Sequence, residues 1–166
     1  MKKDLLQQAF VFYIACLITV GSSPTAWSQS QVMTTEDITR RSDLVAVGRV
    51  RDLHSEWTAE RRCIVTRVTV SVNEYLKGNY GQAVTVLVPG GEVDGVGEWY
   101  SHTPRFKKDE DVVLFARKQG PAEFHVTGGE GGKVTISQDP GTGVSMIAGG
   151  VTLDEFKKRI KATPSK

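Results

Sequence analysis

The sequence predicts a mostly-β fold: a barrel of five to six strands with a short N-terminal helix and a C-terminal helix. Three observations predict it. First, Ile64, Val68, Val70 and Val72 share one parity and Arg67, Thr69, Ser71 and Asn73 the other, which puts apolar and polar residues on opposite faces of a strand. Lys77-Gly78-Asn79-Tyr80-Gly81 is turn chemistry, and Ala83 to Pro89 follows as a second β-branched run. Second, Leu44 to Arg51 starts apolar on both parities, as a central or strongly curved strand does, and Gly48 allows a bulge or bend within it. Third, Thr152-Leu153-Asp154-Glu155 is a capping box opening a helix over 153–162.

The remaining elements follow in order. Thr34-Thr35-Glu36-Asp37 offers a hydroxyl cap and acids for the positive end of a helix of about two turns, ending near Ser42. Leu53 to Arg62 reads as a polar connection carrying His54 and Trp57. Pro89 to Asp111 reads as a long irregular segment, of the kind that is functional or docked by its own side chains. Asp111 to Lys118 is a strand centred on Val112 to Phe115. Ala122 to Thr127 is another, with Phe124 and Val126 inward and His125 outward; Gly128 to Gly132 is a flexible turn. Lys133 to Ser137 is a strand with Val134 and Ile136 inward, and Val144 to Ala148 is a short edge strand. In the last helix Phe156 and Ile160 share a face extended by Leu153, and Val151 with Phe156 forms a hydrophobic staple. Lys157, Lys158, Arg159 and Lys161 complement its C-terminal end. This helix is expected to pack on the barrel or plug one end.

The 166 residues suffice for one core. Residues 1–28 have the layout of a secretory signal: Lys2 and Lys3, an apolar Phe10 to Val20 run too short to span a bilayer comfortably, a break at Gly21 to Pro24, and Ala26-Trp27-Ser28 before a cleavage site. The expected product is a single domain, 29–166, exported to the periplasm or beyond the cell, with membrane attachment only through an uncleaved signal. Its charge is close to neutral, so no basic surplus drives nucleic-acid binding. It retains Cys63 alone, which excludes an internal disulfide. Cys63 is then a small buried hydrophobe or a thiol open to an intermolecular partner.

The strand order with a helix at each end resembles an OB-like five-stranded barrel. Ser42 to Val50 resembles the opening strand of netrin-like and tissue-inhibitor-of-metalloproteinase domains, and Val68 to Gly78, ending Tyr75-Leu76-Lys77-Gly78, resembles the ribbon that follows in them. Leu76-Lys77-Gly78, Val88-Pro89-Gly90-Gly91, Pro104-Arg105-Phe106 and Val113-Leu114-Phe115 together also resemble a group of exported bacterial proteins of unassigned activity, over about Ser42 to Ile160. The inhibitors chelate the protease zinc through a free N-terminal cysteine held by disulfides. Here the expected start is Gln29, so the resemblance implies the fold without that mechanism.

Chemistry-bearing motifs are sparse. His54, His102 and His125 have no metal-type spacing, so no metal or other cofactor is expected. There is no nucleophile elbow for a hydrolase. Gly90 to Gly97 lacks the lysine and hydroxyl of a phosphate loop, and Glu92, Asp94 and Glu98 fit no calcium-loop pattern and read as a solvated acidic loop. What stands out is Trp99, Tyr100, His102 and Arg105, which carry the residue types that dominate contact hot spots. Phe106 directly precedes a strand and is expected to fold back as a cap on the barrel. The expected function is a non-catalytic module binding a protein partner through this cluster. The alternatives are a carbohydrate-binding module stacking a glycan on Trp99 and Tyr100, and a hydrolase assembled from the 89–111 loop and His125.

Overall fold

A computed structural model describes residues 33–120 and 123–164. The expected signal segment lies outside the described residues. Helix α1 (Thr35–Arg41) starts where the Thr34 hydroxyl accepts the N–H of Asp37. Strands β1 (Leu44–Trp57), β2 (Ile64–Lys77) and β3 (Ala83–Pro89) follow, then the short β4 (Gly91–Val93) and β5 (Val96–Glu98). After them come β6 (Asp111–Lys118), β7 (Phe124–Val126), β8 (Lys133–Gln138), β9 (Ser145–Ile147), β10 (Val151–Thr152) and helix α2 (Leu153–Ala162).

Five strands close a barrel in the order β1-β2-β3-β7-β6 and back to β1. All its pairings are antiparallel except β3 with β7, which is parallel. This is the OB-like architecture the sequence predicts. Its interior is filled by Leu44, Ala46, Val50, Val68, Val70, Val86 and Leu114 among others. Beyond the barrel, β8 joins the edge of β6 and carries β9 and β10. This flap and the two helices enclose a second core against the outer wall, in which Val45, Val47, Val113 and Phe115 meet Ile38, Ile147, Phe156 and Ile160. The last helix therefore packs on the wall rather than plugging an end. The Phe115 and Phe156 rings meet edge-on at 6.3 Å.

Val144 to Ala148 is not an edge strand, since β9 lies between β8 and β10. Two larger expectations also need correction. The first strand does not end at Arg51 but runs to Trp57, paired with β2 throughout, so Leu53 to Trp57 is not a connection. The register skips Arg51 between Val50 and Asp52. That bulge flips the parity: Leu44, Ala46 and Val50 face the interior before it, and Leu53 faces it afterwards. An alternation whose phase slips midway looks like the end of a strand. Two further skips, at Asn73 and Leu76 on β2, do the same there, so Tyr75 joins the barrel core and Leu76 the outer one. The second correction concerns Gly128 to Gly132, which is not a flexible turn. Gly129–Gly132 forms a 3₁₀ turn with Gly132 buried, and Gly128 and Gly131 lie against the Ile38 side chain.

Gly48 sits opposite the Asn73 bulge, where a Cβ would lie 2.4 Å from the Ser71 carbonyl oxygen and 2.8 Å from Val70. The close approach of the backbones, more than a bend in β1 itself, requires the glycine. Gly48→Ala is expected to destabilise the fold by about 2 kcal/mol or more through forced displacement in a packed core, read as a lower denaturant midpoint at unchanged slope.

Helix α2 is also fastened electrostatically. Lys157 and Lys161 reach the Glu74 carboxylate of β2 at 2.7 and 2.9 Å. Their hydrogen bonds hold its pKa below the ordinary glutamate value of 4.5. A depressed carboxylate stabilises the fold above its ordinary pKa and loses that contribution as pH falls through the lower, folded value. Glu74→Gln is expected to reduce stability at neutral pH and to flatten the loss below pH 4.5, as measured by denaturant melts across that range.

Candidate functional site

The segment expected to be irregular, Pro89 to Asp111, begins with a β-hairpin. Asp94 and Gly95 take positive φ of 52° and 79° between β4 and β5, the left-handed pair that a tight two-residue turn needs. The pair Asp94-Gly95 between Val93 and Val96 was a hairpin signal, obscured by the surrounding acids and glycines. The hairpin stacks on the ends of β1 and β2. Gly91 lies so close to Ser55 and Thr66 that a Cβ would collide with both hydroxyls. Thr66 Oγ1 donates to the Gly90 carbonyl at 2.7 Å, and the two hydroxyls bond at 3.0 Å. Glu98 is no solvated acid of a loose loop. Its Oε2 accepts the backbone N–H of Ile64 at 2.9 Å and the Tyr100 hydroxyl at 3.1 Å. The hydrogen bond to Glu98, then desolvation and the Glu98 charge, raise the Tyr100 pKa.

From β5 the chain runs as a strap, Trp99 to Glu110, into β6. Pro104 is buried, and Phe106 packs on the barrel interior, capping it as expected. Lys133 of β8 holds the strap from below. Its ammonium donates to the Arg105 carbonyl at 2.6 Å and to Glu110 at 2.7 Å, with the Phe106 ring centre 5.3 Å away. Glu110 in turn accepts the N–H of Lys107 at 2.7 Å. The Lys133 and Glu110 side chains are only 10% and 11% exposed, so neither charge has much water to fall back on.

Between hairpin, strap and barrel mouth lies a cleft of about 360 Å³. Leu53, Val68, Val88 and Phe106 give it an apolar floor, and Trp99, Tyr100 and Arg105 stand in its rim. Trp99 is 68% exposed and Tyr100 48%. The Arg105 guanidinium stacks 5.2 Å from the centre of the Trp99 ring. Three of the four residues singled out from sequence thus converge on one cleft. His102 does not. Its positive φ of 63° turns it to the other side of Pro104, into a smaller hollow of about 190 Å³ that it shares with His125 and Thr103. Cys63 is half-buried beside Thr58, with its sulfur 3.8 Å from that hydroxyl. Among the described residues no group of three His, Cys, Asp or Glu side chains is placed to hold a metal ion. None of the described helices is long and apolar enough to cross a membrane.

The chain matches no protein-family model, no curated protein and no solved structure. The site must therefore be read from its own chemistry.

Sequence reasoning missed Glu98, Lys133 and Glu110, which position the rim without forming it. Glu98 reaches across 34 residues to Ile64 and Lys133 across 28 to Arg105, and no local pattern records such pairings. Magnitudes separate their roles. An exposed cation–π stack such as Arg105 on Trp99 contributes about 0.5–1 kcal/mol. Breaking a buried ion pair by removing one partner costs about 3–5 kcal/mol. Lys133→Met is therefore expected to free the strap, with faster amide exchange over 99–110 and a changed Trp99 emission, whereas Arg105→Ala leaves the exchange of that segment nearly unchanged.

Proposed function

We propose that this protein is an exported, non-catalytic binding module that takes a protein partner at the mouth of its barrel. The observation that carries the reading is the cleft rim: an indole and a phenol left largely in solvent, flanked by a guanidinium, over an apolar floor. Trp, Tyr and Arg are enriched where binding energy concentrates, and barrel mouths are recurrent ligand sites. The rim is also pre-organised. Tyr100 is tied to Glu98, Arg105 is stacked on Trp99 and the strap backbone is clamped by Lys133, which lowers the ordering cost of binding. Export rests on the charged start, apolar run and small-residue break of residues 1–28.

The alternatives have less support. A sugar ring stacks on an open aromatic face, and one face of Trp99 is already occupied by Arg105. A hydrolase would need a nucleophile and base converging on substrate. The hollow that joins His102 and His125 has no carboxylate in its lining, and His125 does not border the main cleft.

The test is a crosslinking pull-down from the producing cell's envelope and medium. The baits are the wild type and a folded Trp99→Ala, Tyr100→Ala double variant. One protein captured by the wild type and reduced about tenfold or more with the variant is the expected result, since hot-spot truncations cost about 2 kcal/mol or more each. Equal capture by both baits would remove the rim from the site. Binding to a glycan array, lost in Trp99→Ala, would transfer the site to a sugar ligand.

A further inference from the structure

One wall of the cleft is the edge of a strand. β6 pairs with β1 only as far as Arg49 opposite Asp111. Past that point Val50 donates its N–H to the Glu110 carbonyl and accepts from Asp109, both at 2.9 Å, and the two segments then part. β1 nevertheless continues to Trp57, held by β2 alone. The direction of its free groups follows from the ladder. Gly90 donates to the Ile64 carbonyl and Thr58 to the Cys63 carbonyl, so β2 turns Ile64, Thr66 and Val68 toward β3 and Val65, Arg67 and Thr69 toward β1. Their partners Glu56, His54 and Asp52 spend their backbone groups on β2. Leu53, Ser55 and Trp57 turn theirs to the outer edge, where no backbone group of the described residues meets them. Leu53 and Ser55 also line the cleft. An unpaired edge thus runs alongside an apolar floor.

The opposite wall supplies charge. Arg105 and Lys107 line the cleft from the strap, and neither is in an ion pair among the described residues. The carboxylate in the same lining, Glu92, belongs to the hairpin. The strap residues that line the cleft thus carry two cations and no carboxylate.

We propose that the free edge of β1 over Leu53–Trp57 docks an extended, acidic peptide segment of the protein partner as an added strand, which rests on the protein-binding reading of the cleft. The added strand draws its main-chain bonds from Leu53, Ser55 and Trp57. Side chains of a strand alternate, so the two that face the cleft are two residues apart. One is apolar and settles beside Leu53, at the margin of the apolar floor; the other is a carboxylate that faces Arg105 and Lys107. Trp99 and Tyr100 close over the segment from the rim.

The probe is a random-peptide phage library selected on the purified protein, followed by synthesis of the enriched peptides with single backbone N-methylations. The expected peptides pair an apolar residue with Asp or Glu two positions away. N-methylation at alternate positions should weaken binding about tenfold, and at the positions between them by little, because each blocked amide forfeits one hydrogen bond plus its desolvation. On the protein, Ser55→Pro removes an outward N–H without touching the ladder to β2 and should weaken binding about tenfold more than Ser55→Ala, which removes the same hydroxyl but keeps the N–H. The N-methylated peptides keep the test valid if Ser55→Pro does not fold. Peptides that lose binding with Trp99→Ala but show no alternating N-methyl pattern would overturn strand addition and leave the binding site standing. Enrichment of no peptide, or edge-to-edge dimers of the chain in sedimentation that Ser55→Pro abolishes, would also overturn it. The pull-down then judges the protein-binding reading separately.

Discussion

The burial of β1 on both faces is the constraint from which the rest of the structure follows. Leu44, Ala46 and Val50 look into the barrel, while Val45 and Val47 look out, and all five are buried. Each fully buried Val or Leu side chain stabilises the fold by about 2 kcal/mol, so the outward pair cannot be left in water cheaply. A closed barrel alone would expose them. The chain covers them with the β8–β10 flap and two helices, and β6, apolar on both faces at Val113 and Phe115 as well as Val112 and Leu114, shares that cover. The second core thus answers a requirement set by the first strand.

The same strand sets up the cleft. Once past the bulge at Arg51, β1 leaves β6 behind and continues as the outer strand of a ribbon whose other strands are β2 and β3. The hairpin lies on this ribbon through Gly91, Ser55 and Thr66, and the strap returns across the gap to β6. The opening left between ribbon and strap is the cleft. Its rim is held by contacts that are polar and partly dry: Glu98 on the Ile64 amide, and Lys133 between the Arg105 carbonyl and Glu110.

Much of the architecture was legible in the residues. The helix caps at Thr34 and Thr152 are local, and the hydroxyls accept from Asp37 and Glu155 as the spacing implies. The apolar parity of Ile64 to Val72 placed Val68 and Val70 in the core. What misled was phase. The bulge at Arg51 made the outer half of β1 look like a connection, and the acids around Asp94-Gly95 hid a hairpin. Trp99, Tyr100 and Arg105, grouped by residue type, line one cleft, whereas His102 was grouped with them by proximity in sequence and lies in the other hollow, beyond the buried Pro104.

The sequence by itself determined the β-rich class, the capped helices and the aromatic character of the strap, because each is encoded in residues within a few positions of one another. Only the tertiary structure decided that β3 and β7 would lie parallel to close the barrel, and that Lys133 would brace the strap. It alone decided that the edge of β1 beyond Val50 would face a cleft. These depend on pairings between distant segments. A backbone edge is identical for every residue type, so its being paired or free leaves no mark in the order of side chains.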